Sequence, residues 1–344
     1  MGQGRWIGVQ WVCYGHSTMT ITSLHRIAGV LVLSLASMAC STGPRPTKTS
    51  SGAETRAGQA IVDGVPVAYH VFGSGPVVIA HPGGPGGDWG SLRMPEVEQV
   101  ATVVYIEPFG TGVSGRLADP NGYTIEAYVK AVEGVRAALG VDQVVLLGHS
   151  HGGFVAQGYA LTHPKHLRGL VLYDTSPVTG GELGRDIMSN LQWFEHEPWF
   201  AEAQAGFAAF SEEKTDADAT TGLKRVMPFT FADWTHRGHE FEAYRAQARM
   251  WIGPRQTVPP EGGAFSTAET SFDVRPRLHE IVTPTLILVG AKDVICSEKM
   301  ARMAHAGIQG SKLVVLAHSG HTGHIEEPAE HGRAIREFLA TLAH

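Results

Sequence analysis

Beyond about residue 56, short runs of β-branched and other apolar residues alternate with segments whose apolar residues recur at helical spacing. This alternation is typical of a mostly parallel sheet with helices on both faces. The clearest helical spacing predicts helices over 125–139 and 329–342. Eight strands are predicted, the first two as an antiparallel pair around Asp63-Gly64: 60–62, 65–71, 77–80, 103–106, 144–147, 170–173, 286–289 and 313–316.

The alternation stops between residue 177 and about residue 272. Twelve aromatic residues lie between Trp193 and Trp251, a composition that fits an inserted helical cap. We therefore predict a core formed by residues 57–178 and 273–344 and a cap over 179–272. Most of these rings are expected to form the interior of the cap, and some of them to face a substrate pocket.

The first 56 residues differ in composition from the rest. A positive pair, His25-Arg26, precedes the apolar run 28–36, and small residues follow up to Cys40. This order resembles a bacterial lipoprotein signal, so 1–39 is predicted as a signal peptide and 40–56 as a flexible tether. Export with a lipid on Cys40 at the outer face of a bacterial membrane is then expected. Ordinary cleavage with secretion and a retained anchor are the alternatives, and Met19 is an alternative start.

Composition narrows the classes of function. The chain has 344 residues, 17% of them charged, and its net charge of −6 includes no basic block, which excludes nucleic acid as an expected partner. It has three cysteines: Cys13, Cys40 and Cys296. With Cys40 acylated and Cys13 removed, Cys296 stands alone, so no disulfide framework is expected and Cys296 is interpreted as a packing residue.

A serine lies at the centre of Gly148-His149-Ser150-His151-Gly152, directly after the strand predicted over 144–147 and before an apolar segment with helical spacing. A strand, a sharp turn and a helix with a serine at the turn make a nucleophile elbow. Such a turn leaves little room two residues to either side of the serine, so small residues are required at 148 and 152. The pattern predicts Ser150 as the nucleophile.

A serine nucleophile requires a base and a group that orients the base, in the chain order serine, acid, histidine. Asp293 follows the strand 286–289, and His321 follows the last strand; both are at strand ends where ligand-facing loops of parallel sheets lie. We predict His321 as the general base and Asp293 as its orienting carboxylate. Asp174 is the alternative acid, whereas His149 and His151 are interpreted as packing or pocket-lining residues.

The tetrahedral intermediate of acyl transfer also requires donors for its oxyanion. We predict the backbone N–H groups of His151 and of Gly84, within the glycine-rich run 82–87, as these donors. The run has neither phosphate-binding signature, and the spacing of His318, His321 and His324 lacks the flanking residues of a zinc site. Neither a metal nor another cofactor is expected.

These residues resemble the α/β-hydrolase superfamily and, through Pro82-Gly83-Gly84-Pro85-Gly86, its proline iminopeptidase and tripeptidyl aminopeptidase group. The resemblance covers about 60–178 and 273–344. Two features depart from the group: its elbow is usually Gly-Gly-Ser-Trp-Gly, and its Asp-x-Arg-Gly-x-Gly-x-Ser segment appears at 107–114 without the arginine.

The resemblance implies an α/β-hydrolase fold and a serine hydrolase that acts through an acyl-enzyme on a small peptide, amide or ester. An aminopeptidase, a small-molecule esterase, other chemistry on the same triad and a non-catalytic binding protein are the alternatives. The oligomeric state is left open. The partner expected is a small-molecule or short-peptide substrate, with membrane contact only through a lipid on Cys40.

Overall fold

An eight-stranded sheet runs through the part of the chain that the computed structural model describes, residues 56–256 and 272–342. Its order is β1-β2-β4-β3-β5-β6-β7-β8. The strands are β1 (Arg56–Val62), β2 (Val65–Gly73), β3 (Val77–His81), β4 (Thr102–Ile106), β5 (Val144–His149), β6 (Leu167–Tyr173), β7 (Thr285–Gly290) and β8 (Lys312–Leu316). All eight predicted strands are confirmed, each within a few residues of its predicted bounds.

The sheet is mostly parallel. The pair β1 and β2 is antiparallel across the turn at Asp63-Gly64, and β2 pairs antiparallel with β4. Every other neighbouring pair is parallel. Because parallel strands end at the same edge, the loops that follow β3, β5, β6 and β7 lie side by side.

Twelve α-helices accompany the sheet in the described residues. Helices α1 to α3 are Pro95–Glu98, Ile125–Leu139 and His151–Thr162; α4 to α9 are Gly181–Asn190, Phe200–Ala208, Asp216–Val226, Trp234–Arg237, Glu242–Gln247 and Gly253–Gln256; and α10 to α12 are Glu298–Gly307, Gly323–Glu326 and Pro328–Thr341.

Helix α2 shows how local sequence sets the bounds of an element. The Thr124 hydroxyl accepts a hydrogen bond from the N–H of Ala127 and caps the helix, which ends at Gly140 in the left-handed conformation (φ 68°). Its buried residues recur at helical spacing on one face, which packs against the sheet.

The core lies on both faces of the sheet. All six residues of β5 and of β7 are buried, as expected of central parallel strands covered on two sides. One apolar cluster packs α2, α3 and α10 against the first face, and another packs α1 and α12 against the second face. This double coverage holds the strand ends rigid where the candidate site is formed.

In the described residues between β6 and β7 the chain forms six α-helices, α4 to α9, and we call the range 181–256 the helical connection. Phe229 is fully buried at its centre, and four aromatic rings lie within 6.2 Å of the Phe229 ring: Phe194, Trp199, Phe200 and Phe207. A second cluster forms around Phe231 and Phe241. Most of the predicted cap aromatics therefore pack against one another.

The cap boundaries, 179–272, stay a prediction, because 257–271 lie outside the described residues. The predicted signal peptide (1–39) and nearly all of the predicted tether (40–56) also lie outside them. Within the described ranges, no helix is both long and apolar enough to cross a membrane.

Candidate active site

Ser150 lies in the turn between β5 and α3 in an unusual backbone conformation (φ 53°, ψ −119°). A residue with a side chain rarely adopts a positive φ, so the surrounding structure must hold the turn in place. The N–H of Ser150 donates to the Tyr173 carbonyl at 3.0 Å, and the Thr175 hydroxyl donates to the Ser150 carbonyl at 2.8 Å. The end of β6 thus fixes both backbone polar groups of Ser150.

The glycines on either side of the turn have a steric role. A Cβ atom at Gly148 would lie 2.2 Å from the Gly152 carbonyl oxygen, and one at Gly152 would lie 2.3 Å from the His81 carbonyl oxygen. Both obstacles are backbone atoms, which move only if the turn opens. The small residues that the sequence requires at 148 and 152 are therefore explained by the packing.

His321 and Asp293 are brought together from loops that follow β8 and β7. Nδ1 of His321 lies 2.8 Å from Oδ2 of Asp293, and both side chains are buried. The other oxygen, Oδ1, accepts the N–H groups of Ile295 and Cys296 at 2.7 and 3.0 Å. A carboxylate oxygen accepts, so Nδ1 donates this hydrogen bond, and in the neutral ring the lone pair is then on Nε2. This tautomer is the one that a general base requires.

Asp174, the alternative acid, lies in the same region but has a different partner. Its Oδ1 accepts the N–H of Gly290 at 2.9 Å, while Oδ2 has no hydrogen-bond partner among the described residues. Burial, followed by the nearby Asp293 carboxylate, raises the pKa of Asp174 well above its usual range. Asp174 is therefore expected to be a neutral acid beside the His321–Asp293 pair.

His149 makes a contact that the sequence did not predict. Its Nε2 lies 2.9 Å from the His321 carbonyl oxygen, and the two rings pack with centroids 4.9 Å apart. His149 is next to Ser150 in the chain, so it links the turn to the loop that carries His321. Burial, followed by the neighbouring His321 and His324, lowers the pKa of His149 well below its usual range, which keeps the ring neutral.

Two further histidines lie beside the turn, the buried His81 and the half-buried His151. Burial lowers the pKa of His81 to about 4 and that of His151 to about 3. Their ring centroids lie 6.2 Å apart, and the Tyr128 ring packs edge-on against both of them. The lowered pKa values favour the neutral form of both rings, and the side chain of His151 packs among aromatic rings.

The glycine-rich loop after β3 lies against Ser150. A Cβ atom at Gly83 would lie 3.1 Å from the Ser150 Cβ, whereas one at Gly84 would meet the backbone nitrogens of Gly86 and Gly87. The helical connection holds this loop: the N–H of Trp251 donates to the Gly86 carbonyl at 2.9 Å, and Gly87 forms an isolated bridge with Met250. The assignment of the Gly84 and His151 N–H groups to the oxyanion stays a prediction. Within this loop, Gly83 is the glycine that lies against Ser150.

Among the described residues, His149, Asp174 and His321 are close enough together to hold a metal ion, because their candidate ligand atoms lie within 4.8 Å of one another. Nε2 of His149 faces a carbonyl oxygen and therefore carries a proton, and Nδ1 of His321 donates to Asp293 in the same way. In a neutral ring the other nitrogen keeps its lone pair, which is also how metal-bound histidines are usually held. At His324 both ring nitrogens are engaged, by the Tyr173 hydroxyl and the Ser91 carbonyl. The expectation that no metal is bound stays a prediction.

Comparisons with known proteins agree with this geometry. The family model of the alpha/beta hydrolase fold matches residues 76–328. A proline iminopeptidase from Saccharolobus solfataricus is 30% identical over 282 residues, which cover 79% of this chain and 87% of that protein. A 2-hydroxymuconate semialdehyde hydrolase from a Pseudomonas species is 28% identical over 288 residues, which cover 81% of this chain and 92% of that protein.

Solved structures give the same result for the fold. An esterase from Thermogutta terrifontis superposes with a TM-score of 0.62 at 23% identity, covering 84% of this chain and all of that chain. The family model spans well over half of the sequence, and its range contains Ser150, Asp293 and His321. The chain therefore belongs to the α/β-hydrolase fold family and resembles the proline iminopeptidases within it.

Proposed function

We propose that the protein is a serine hydrolase that acts through an acyl-enzyme on a small peptide, amide or ester. The observation that carries this proposal is the buried 2.8 Å contact between His321 Nδ1 and Asp293 Oδ2, on loops linked by His149 to the Ser150 turn. A non-catalytic binding protein would have no need of a buried histidine held in the tautomer of a base.

In the proposed mechanism, Ser150 Oγ attacks the carbonyl carbon of the substrate, and Nε2 of His321 takes the hydroxyl proton. Asp293 keeps the proton on Nδ1 and stabilises the imidazolium that forms. His321 then gives the proton to the leaving amine or alcohol. In the second half of the reaction, His321 activates a water molecule that releases the acyl group from Ser150.

The oxyanion is proposed to be held by the backbone N–H groups of His151 and Gly84. Loss of one such donor typically costs about 3 kcal/mol of transition-state stabilisation, so the position of the glycine-rich loop matters for the rate. The contacts of Gly86 and Gly87 with Trp251 and Met250 keep this loop in place.

The substrate is proposed to be a short peptide with a free amino terminus, and the similarity to a proline iminopeptidase supports this choice. A small-molecule esterase is the second candidate, because the turn is Gly-His-Ser-His-Gly rather than the Gly-Gly-Ser-Trp-Gly usual in that group. Other chemistry on the same triad is the third, supported by the similarity to a 2-hydroxymuconate semialdehyde hydrolase.

A substrate panel separates these candidates. The purified protein is assayed with prolyl and other aminoacyl arylamides and with p-nitrophenyl esters of matched acyl groups, with Ser150→Ala as the control. Arylamide cleavage that is absent in Ser150→Ala supports the aminopeptidase, whereas ester turnover without arylamide cleavage removes it. If a fluorophosphonate probe fails to label Ser150 in the folded protein, the serine hydrolase proposal is wrong.

A further inference from the structure

The loop that carries His321 is attached to the helical connection as well as to the core. The backbone N–H of His321 itself donates to the Thr230 carbonyl at 2.7 Å, and the Thr322 hydroxyl donates to the same oxygen at 3.2 Å. The two surfaces are in close contact, because a Cβ atom at Gly320 would lie 2.6 Å from the Thr230 oxygen. Residues of the helical connection therefore determine where the base can lie.

One buried side chain joins these two parts. Oε2 of Glu326 accepts the N–H of Gly320 at 2.7 Å and the Thr322 hydroxyl at 3.3 Å, so it holds the residues on both sides of His321. Oε1 of Glu326 accepts the N–H of Ala232, in the helical connection, at 2.7 Å. Only 5% of the residue is exposed. The two oxygens therefore accept one backbone N–H from the loop and one from the helical connection, and the single proton of the Thr322 hydroxyl is shared between Oε2 and the Thr230 carbonyl.

The neighbouring Glu327 shows what is specific to Glu326. Oε2 of Glu327 accepts the His318 N–H and the Ser319 hydroxyl, at 2.7 and 2.6 Å, in the part of the loop that precedes Gly320. Among the described residues the hydrogen bonds of its side chain reach only this loop and not the helical connection. The side chain of Glu326 differs in that it bonds both parts.

We propose that Glu326 is a positioning residue for His321, and that through it the helical connection becomes a working part of the catalytic centre. This inference rests on the proposed function, because it assigns Glu326 a role only if His321 is the base. Glu326 touches neither Ser150 nor a reacting atom; it acts through the backbone on either side of His321.

Chemistry explains why an acid is used here. A glutamine has one acceptor oxygen, and its amide nitrogen brings two more donors. In Glu326→Gln, at least one of the N–H groups of Gly320 and Ala232 would face another donor in a buried site, and the loop would shift. A displacement of a catalytic group by about 1 Å can lower the rate by about 100-fold. In the proposed mechanism His321 Nε2 takes a proton during the reaction but is not required to hold the substrate, so KM should change much less than kcat.

The test compares Glu326→Gln with Glu330→Gln in the full-length protein, on the best substrate of the panel. Glu330 is on the exposed side of α12, where it pairs with Arg333, and serves as the matched control. We expect kcat to fall about 10- to 100-fold in Glu326→Gln with KM within about threefold, and both constants to stay unchanged in Glu330→Gln. A folded Glu326→Gln protein with the wild-type kcat would overturn the proposal.

A second variant and a spectroscopic signature keep the test decisive if Glu326→Gln does not fold. Thr322→Val removes the hydroxyl that lies 3.2 Å from the Thr230 carbonyl oxygen and 3.3 Å from Oε2 of Glu326. A decrease in kcat of about two- to fivefold is expected. In parallel, the low-field proton resonance of His321 Nδ1–H, which reports the hydrogen bond to Asp293, should shift in Thr322→Val and not in Glu330→Gln. An unchanged resonance together with an unchanged kcat refutes the positioning role.

Turnover and Ser150 labelling of the wild-type protein separate the failure of the proposed function from the failure of the role of Glu326. If the wild-type protein shows no turnover and Ser150 is not labelled, the serine hydrolase proposal fails, whatever the variants do. If the wild-type protein is active and labelled but neither variant changes kcat or the resonance, only the role of Glu326 fails.

Discussion

The turn that holds Ser150 and the loop that holds His321 obtain their geometry in different ways. The turn has a local pattern, with glycines at 148 and 152, a buried strand before it and a helix after it, and the residues at and after the end of β6 hold its backbone. The loop has no such pattern of glycines. Glu326 and Glu327 hold it from nearby, and it also depends on distant partners, namely Asp293, the His149 ring and the helical connection at Thr230. The Ser150 turn can therefore be recognised from a few consecutive residues, whereas the position of His321 depends on the assembled fold.

The largest expected effect distinguishes the two acids near the loop. In Asp293→Asn the amide cannot keep the proton on Nδ1 of His321, and kcat should fall about 10⁴-fold. In Asp174→Asn the change should stay within about threefold, because burial raises the pKa of Asp174 and favours its neutral form, and because asparagine retains an acceptor for the Gly290 N–H. The measurement is kcat for each purified variant, with folding checked by circular dichroism. Activity retained in Asp293→Asn and lost in Asp174→Asn would exchange the two assignments.

The next effect tests whether the turn is limited by sterics. In Gly152→Ala the added methyl group meets the carbonyl oxygens of His81 and Pro82, at 2.3 and 2.8 Å, so the turn and the glycine-rich loop must separate. The free energy of unfolding should fall by about 3 kcal/mol, and fluorophosphonate labelling of Ser150 should slow.

Gly122→Ala is the control for this substitution, because its nearest obstacle is the end of the flexible Leu117 side chain at 3.3 Å. Urea unfolding should change by about 0.5 kcal/mol or less in this control. If both variants lost the same free energy of unfolding, replacement of any glycine by alanine would be destabilising, and the contacts of Gly152 with the His81 and Pro82 oxygens would not be the cause.

The smallest effect concerns the buried histidines that pack around both regions. Burial lowers the pKa of His324 to about 4, and it lowers the pKa of His149 and His331 well below the usual range. Below pH 6.5 the unfolded chain binds protons that these folded residues do not, so stability present above pH 6.5 is lost as the pH falls. Glu326 acts in the opposite direction, because burial raises its pKa to about 7 and the folded state takes up that proton first.

Replacement of one histidine measures how much that residue contributes to the pH dependence of the free energy of unfolding. In His331→Gln, the slope of unfolding free energy against pH between 5 and 6.5 should become less steep by up to about 1.4 kcal/mol per pH unit, which corresponds to one proton. Exposed His279→Gln is the control and should keep the wild-type slope. Urea unfolding at several pH values gives both slopes, and identical slopes in His331→Gln and wild type would contradict the linkage.

Much of the fold was readable because its signals are local. The strand runs, the capped helix α2 and the Ser150 turn each depend on a few consecutive residues, and the structure confirms the eight strands and the helix over 125–139. Asp293 and His321 could be selected from their positions at strand ends, although the roles of the three residues stay predictions. The contact of His149 with His321 joins residues 172 positions apart, and no spacing rule indicates such a pair.

The sequence alone determined the order of the elements, the position of Ser150 in a turn with glycine two residues to either side, and the family of the fold. Tertiary structure decided which acid faces His321, which glycine contacts Ser150, and that Glu326 joins the His321 loop to the helical connection. The physical reason is distance along the chain. Steric and propensity rules act over a few residues, whereas buried hydrogen bonds such as Glu326 to Ala232 arise only when segments 94 residues apart are packed together.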